Sequence, residues 1–88
     1  MPRYYFHYRR PDDELIEDHL GSELHDIEVV EREAHAVASD ILEEEIREGG
    51  PMSAPRCLEV EDEHGDIVLY VPFWAAFAVR RRAGNMIH

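Results

Sequence analysis

The segment from Asp26 to Glu48 constrains the fold of this chain most, because its apolar residues recur at helical spacing. They lie three or four positions apart and so share one side of an α-helix: Ile27, Val30, Ala34, Val37, Ala38, Ile41 and Leu42. Asp26 is a suitable N-cap residue, and Gly49, as a left-handed residue, should end the helix. A helix cannot bury its own apolar stripe, so a second layer must cover it.

The segments on either side of this helix alternate between apolar and polar residues, which predicts β-strands. The predicted strands are Tyr4 to Arg10, Leu15 to Asp18, Arg56 to Asp62, and Asp66 to Val71. The fold class is therefore α+β, with ββαββ order and one long helix on one face of a mainly antiparallel four-stranded sheet. Pro72 should begin a short C-terminal helix that reaches Arg82.

A turn from Asp62 to Gly65 joins the last two strands, and its geometry sets their register. If Asp62 lies opposite Asp66, Val60 faces Val68 and Leu58 faces Tyr70 on the side of the helix. The predicted core then consists of Tyr4, Phe6, Ile27, Val30, Ala34, Val37, Ala38, Ile41, Leu58, Val60, Val68 and Tyr70. A helix of this length exceeds a six-residue strand by roughly 15 Å, so Glu43 to Glu48 should project beyond the sheet.

Composition limits the setting and the partners of the chain. Its 88 residues predict one domain over residues 1–83, with a loose tail at 84–88. The net charge is −11 and all nine basic residues are arginines, so nucleic acid is an unfavourable partner for the main surface. The lone Cys57, the strand-like N-terminal residues and the lack of a long apolar run predict a cytoplasmic protein without a signal peptide or membrane span.

No stretch of the sequence carries the signature of a catalytic, metal or cofactor site. The six histidines include no close pair of the kind that zinc sites use, and His7 is best interpreted as a hydrogen-bonded structural residue. Cys57 has no histidine next to it in the sequence, which favours a structural thiol. The twenty carboxylates follow no calcium-loop spacing, and no glycine-rich phosphate loop is present. We therefore expect a protein without enzymatic activity, metal or cofactor.

Apolar residues beyond those needed to cover the helix predict an interface with a protein partner or with a second copy of the chain. The candidate interface residues are Ile67, Leu69, Val71, Phe73, Trp74, Phe77, Arg80 and Arg81. They combine the second face of the last strand with an aromatic and arginine-rich C-terminal segment. The alternative is that the same segment packs within the chain.

Two other functional hypotheses remain open. One is an antitoxin-type regulator that binds a protein with its acidic body and DNA with its arginine-rich ends, including Arg3, Arg9 and Arg10. The other is a metal binder that uses His7 and nearby carboxylates.

The opening Met1-Pro2-Arg3-Tyr4-Tyr5-Phe6-His7 resembles a family of small bacterial proteins whose members begin Met-Pro-Arg-Tyr-Phe-Phe-His. The spacing of Asp18, Gly21 and Asp26, and the closing run from Val60 to Phe73, are similar to the same family. Tyr5 and Tyr8 depart from its pattern, and so does the chain from Trp74 onward. The family is a domain of unknown function. The resemblance implies this arrangement of elements and a bacterial cytoplasmic setting, and it carries over no site residue.

Overall fold

The computed structural model describes residues 1–73, which form one helix and five strands. In chain order these are β1 (Arg3–Arg9), β2 (Leu15–Ile16), β3 (Ser22–Glu23), α1 (Ile27–Arg47), β4 (Cys57–Asp62) and β5 (Ile67–Pro72). The fold is α+β, as predicted, but five strands replace the predicted four. Pro72 ends β5 and does not begin a helix; residues 74–82 of the predicted C-terminal helix and the tail at 84–88 lie outside the described residues.

Helix α1 has the predicted bounds because local chemistry fixes both of its ends. The Asp26 carboxylate accepts a hydrogen bond of 3.0 Å from the backbone N–H of Val29, which is otherwise without a partner in the first helical turn. At the other end, Gly49 has a φ of 96°, a left-handed conformation that favours glycine. The predicted helix from residue 26 to residue 48 is thus confirmed.

The sheet is antiparallel and is built around β1. Its strand order is β2-β1-β4-β5, and β3 pairs with β1 beside β2. β2 lies opposite Tyr8 and Arg9, whereas β3 lies opposite Arg3 and Tyr4. The predicted second strand is therefore shorter than expected, and a further strand begins at Ser22, where the sequence predicted none.

The chain between β2 and β3 leaves the sheet because Asp18 turns it. The Asp18 carboxylate accepts hydrogen bonds from the backbone N–H groups of Leu20 and Gly21, which curl the segment away from β1. Gly21 then brings it back with a φ of 70°. A Cβ atom at Gly21 would lie 2.8 Å from the Tyr5 ring, so only glycine fits this approach.

A β-bulge in β5 overturns the predicted register of the last hairpin. The turn is as expected, since Asp62 and Asp66 are hydrogen-bonded and Gly65 has a φ of 87°. Beyond it, Glu61 pairs with Ile67 but Val60 pairs with Leu69, so Val68 is an extra residue without a direct opposite. Leu58 consequently pairs with Val71. One inserted residue exchanges the two faces of β5, which places Leu69 and Val71 towards α1.

The core lies between α1 and the face of the sheet formed by β1, β4 and β5. Its buried apolar members are Phe6, Tyr8, Val30, Ala34, Ala38, Leu42, Leu58, Val60, Val71 and Phe73. Tyr4, Val37 and Ile41 pack against this core with partial burial, as does Leu69. Three predicted core residues are wrong. Ile27, the first residue of α1, is about half exposed, and the bulge leaves Val68 and Tyr70 on the surface.

The C-terminal turn of α1 is anchored to the sheet and does not simply project beyond it. Glu45 accepts hydrogen bonds from Arg56 Nε at 2.6 Å and from the Tyr8 hydroxyl at 2.7 Å. Its neighbours Glu44 and Ile46 are exposed, as expected. The expected projection of residues 43–48 is thus wrong for Glu45, whose side chain reaches back to the layer below.

Candidate functional site

The face of the sheet opposite α1, the open face, carries most of the polar side chains of β1 and β4. Because side chains alternate along a strand, it presents Arg3, Tyr5, His7 and Arg9 from β1, and Cys57, Glu59 and Glu61 from β4. Within residues 1–73, no helix covers this face. It contains a depression of about 330 Å³ that reaches His7, Asp18, Glu59 and Glu61. Its titratable lining makes it a candidate for a catalytic or metal site.

His7 is held in this depression by hydrogen bonds at both ring nitrogens. A backbone N–H can only donate, so Nδ1 accepts from the N–H of Asp18, at 3.1 Å. The proton of the neutral ring is therefore on Nε2, which donates to Oε1 of Glu61 at 3.2 Å. The Tyr5 ring stacks on His7, and only 8% of His7 is exposed. Neither nitrogen is open to a substrate or a metal, which supports the predicted structural role.

Asp18 completes this network from the segment between β2 and β3. Its carboxylate accepts backbone N–H bonds from Phe6, Leu20 and Gly21. Burial by itself would raise the pKa of the Asp18 carboxyl, but these bonds outweigh it, so the pKa lies below its usual value. The Asp18 carboxylate is therefore occupied by backbone hydrogen bonds, and it joins the segment after β2 to β1.

The free edge of β5 is the second candidate site. β5 is the last strand of the sheet, and no other described strand pairs with its outer edge. Three apolar side chains of β5 are exposed: Ile67 by 41%, Val68 by 37% and Tyr70 by 61%. We call these three side chains, with the outward backbone groups of Tyr70, the β5 edge surface.

The backbone of β5 points outward at Tyr70. The N–H of Phe73 donates to the carbonyl of Arg56, and Val71 lies opposite Leu58, so alternate residues 71 and 73 direct their backbone groups towards the rest of the sheet. Tyr70 and Pro72 lie between these positions and direct theirs away from it. Pro72 has no N–H to offer, so Tyr70 presents the outward donor and acceptor.

The predicted interface residues divide into three groups. Leu69, Val71 and Phe73 were expected on an exposed face, but they contribute to the core, where Phe73 stacks on Tyr8 at 5.4 Å between ring centroids. Ile67 is on the surface. Trp74, Phe77, Arg80 and Arg81 lie outside the described residues. Val68 and Tyr70 were not predicted as surface residues, because the sequence contains no signal for the bulge.

With the geometry of both sites established, comparison with known proteins identifies the family. The family model for the domain of unknown function DUF6894 matches residues 3–74. The chain belongs to the DUF6894 family. The match runs from the start of β1 to just beyond β5, so the DUF6894 domain contains every described element. No curated protein and no solved structure matches the chain.

Other groups in this DUF6894 domain have structural roles. Burial and the nearby Glu59 carboxylate raise the pKa of the Cys57 thiol, which keeps it in the less nucleophilic protonated form. Within residues 1–73, no three His, Cys, Asp or Glu side chains lie together in a way that could hold a metal ion. The described helix of the DUF6894 domain is not long and apolar enough to cross a membrane.

The arginines of the N-terminal strand are paired with carboxylates. Arg3 binds Glu23 at 2.9 Å, Arg9 binds Glu59 at 2.9 Å, and Arg10 lies 3.6 Å from an oxygen of Asp12. Their charge is therefore balanced locally by carboxylates.

An apolar depression of about 470 Å³ lies beside Phe73, between Leu42 and the loop before β4. Arg56 is the charged residue among the described residues that line it. Its guanidinium already donates to Glu45 and to the carbonyl oxygens of Pro51, Met52 and Ala54. A ligand in this depression would find no unsatisfied charge to orient it, so the β5 edge surface is the stronger candidate.

Proposed function

We propose that this protein is a non-enzymatic protein-binding module whose binding site is the β5 edge surface. The observation that carries the proposal is an edge strand with exposed Ile67, Val68 and Tyr70 and an outward backbone donor and acceptor at Tyr70. An added strand from a partner would gain backbone hydrogen bonds there, and the apolar side chains would supply contact area.

The two sides of the sheet differ in a way that supports this choice. On the β2 and β3 side, two strands of two residues each divide the edge, and very short strands are one means by which proteins prevent unwanted pairing. β5 is six residues long and lacks the charged side chains that usually protect such an edge. The bulge at Val68 and the missing N–H of Pro72 restrict pairing along β5, and Tyr70 between them keeps the outward donor and acceptor that an added strand requires.

The absence of enzymatic activity is part of the proposal and is supported by the open face. Both nitrogens of His7 already have protein partners, and the raised pKa of Cys57 disfavours a reactive thiolate. A bacterial cytoplasmic setting is also proposed, supported by the free Cys57 and by the resemblance of the opening residues.

The test is affinity capture of partners by the purified protein, with a matched pair of lysine variants. Tyr70→Lys places a charge in the middle of the β5 edge surface. Leu20→Lys, at a side chain that is 84% exposed in the segment before β3, adds the same charge elsewhere. We expect Tyr70→Lys to weaken the affinity for the captured protein by about tenfold, which corresponds to about 1.4 kcal/mol, and Leu20→Lys to leave it unchanged.

Crosslinking and mass spectrometry of the captured complexes should place the contacts at residues 66–72. If the two variants retain the same partners in equal yield, β5 is not the binding site.

A further inference from the structure

We propose that the partner at the β5 edge surface is a second copy of this chain, with the two β5 strands antiparallel about a two-fold axis at Tyr70. The inference rests on the proposed function and specifies its partner. The two sheets would then form one continuous sheet. Because the axis is perpendicular to that sheet, both copies of α1 would lie on the same side of it.

Charge favours a second copy at this strand. Each chain has a net charge of −11, so two copies repel one another wherever carboxylates face carboxylates. β5 is an exception, since Ile67–Pro72 contains no charged residue. A basic partner would find no carboxylate to bind within this strand. An uncharged strand of equal length could pair with it without electrostatic repulsion, and β5 of a second copy is such a strand.

Backbone geometry selects the register. Leu69 and Val71 cannot form the hydrogen-bonded pair on a two-fold axis, because the backbone groups at these alternate positions are directed towards β4. Pro72 has no N–H and cannot form a reciprocal pair. Tyr70 can, because its N–H would donate to the carbonyl of the partner's Tyr70 while its own carbonyl accepts in return.

The side chains fit this register. Residues opposite one another across an antiparallel pair lie on the same face, so the two Tyr70 rings would be neighbours about 5.5 Å apart at Cβ. Val68 would lie opposite Pro72 of the partner subunit, and Leu69 opposite the partner's Val71. Pairing therefore covers the exposed Tyr70 and brings no two charges together.

The experiment is sedimentation equilibrium of untagged protein over a range of concentrations, with two variants of opposite charge at one position. The wild-type protein should approach twice the 10.3 kDa mass of one chain. Tyr70→Lys and Tyr70→Glu should each remain at the single-chain mass, because like charges would meet at the axis. An equimolar mixture should recover the doubled mass, since lysine then faces glutamate.

Leu20→Lys is the control and should form the dimer as the wild type does. Circular dichroism of each variant checks that the fold is retained, and Tyr70 is suitable for substitution because it is exposed. A wild type that stays at the single-chain mass overturns the proposal. A dimer that survives Tyr70→Lys also overturns it, and so does a mixture that fails to associate.

These outcomes are distinct from those that test the proposed function. A monomeric wild type that captures another protein through Tyr70 would remove the second copy as the partner and leave the binding module intact. A dimer with the expected variant behaviour that captures nothing else would support self-pairing and remove the wider role in binding other proteins.

Discussion

Arg56 shows at the residue scale how one buried charge can organise two layers. Its side chain is only 2% exposed, and its guanidinium joins Glu45 of α1 to the loop that leads into β4. Burial by itself would raise the pKa of the Glu45 carboxyl, but bonds from Arg56 and Tyr8 lower it below its usual value. Burial, and then the bond to Glu45, raise the pKa of Tyr8 to about 12.

Removal of Arg56 should destabilise the fold far more than removal of an exposed arginine. Arg56→Ala leaves the partly buried Glu45 carboxylate with Tyr8 but without its cationic partner, and removes a donor from three carbonyl groups, so we expect a loss of about 3 kcal/mol in unfolding free energy. Arg47→Ala is the matched control, because Arg47 pairs with Glu44 at 2.9 Å in an exposed position. Its loss should be about 0.5 kcal/mol or less. Urea unfolding measures both, and equal losses would contradict the structural role of Arg56.

Asp18 should contribute stability that depends on pH. Its folded pKa is lowered, so the unfolded chain takes up the proton first as the pH falls. The contribution is complete well above the ordinary value of 3.8 and disappears as the pH falls through the folded pKa. Asp18→Asn should therefore unfold at lower urea concentration than the wild type at pH 7, with the difference shrinking below about pH 4.

Comparison of the two proteins at each pH removes the background from the other carboxylates, whose mutual repulsion also weakens in acid. A wild-type advantage that stayed constant from neutral to acid pH would show that the charge of Asp18 has no part in holding the segment after β2.

At the scale of the elements, the bulge in β5 decides which surface the protein presents. Without it, Val68 and Tyr70 would face α1 and Leu69 and Val71 would face outward, as the sequence predicted. With it, Val71 is buried between the layers and Tyr70 stands at the free edge. One extra residue thus decides which side chains of β5 enter the core and which form the β5 edge surface.

Proline substitutions at adjacent positions should distinguish the inward and outward backbone groups of β5. Tyr70→Pro removes an N–H that points away from β4, so the unfolding free energy should change little. Val71→Pro removes an N–H directed at β4 and should lower the unfolding free energy by about 2 kcal/mol or more, since a buried carbonyl loses its donor. Thermal unfolding measures both, at a protein concentration low enough to dissociate the proposed dimer. Equal destabilisation would contradict the alternation of backbone groups derived for β5.

For the whole molecule, the dominant features are a thin two-layer body, 16 Å across its shortest dimension, and a large excess of carboxylates. One layer is α1, and the other is a sheet whose open face is polar and whose β5 edge is apolar. A body with so much negative charge favours contacts at its uncharged strand over contacts elsewhere.

Added salt should therefore strengthen the proposed dimer. Two chains of charge −11 repel at long range, and salt screens that repulsion, with a Debye length of about 10 Å at 0.1 M. We expect the dissociation constant measured by sedimentation to fall several-fold between low salt and about 0.5 M salt. Ion pairs across the interface would be weakened by salt, so the dissociation constant would rise. Such a rise would contradict a contact through uncharged strands.

The sequence alone determined the parts of this protein that depend on neighbouring residues. Asp26 caps the helix through the N–H of a residue only three positions away, and Gly49 ends the helix through its own backbone conformation. Asp62 and Gly65 form the turn that joins β4 to β5. The apolar stripe of α1 required a covering layer, and the family resemblance agrees with the DUF6894 match.

Only the tertiary structure decided which face of β5 is buried. Residues 67–71 are all apolar, so alternation gives no preference for either face, and the choice depends on packing against α1. The same holds for the bonds of Arg56 to Glu45 and of His7 to Asp18 and Glu61, which join residues that are distant in the sequence. Interactions of this kind depend on how the folded chain brings distant residues together, so no local sequence pattern predicts them.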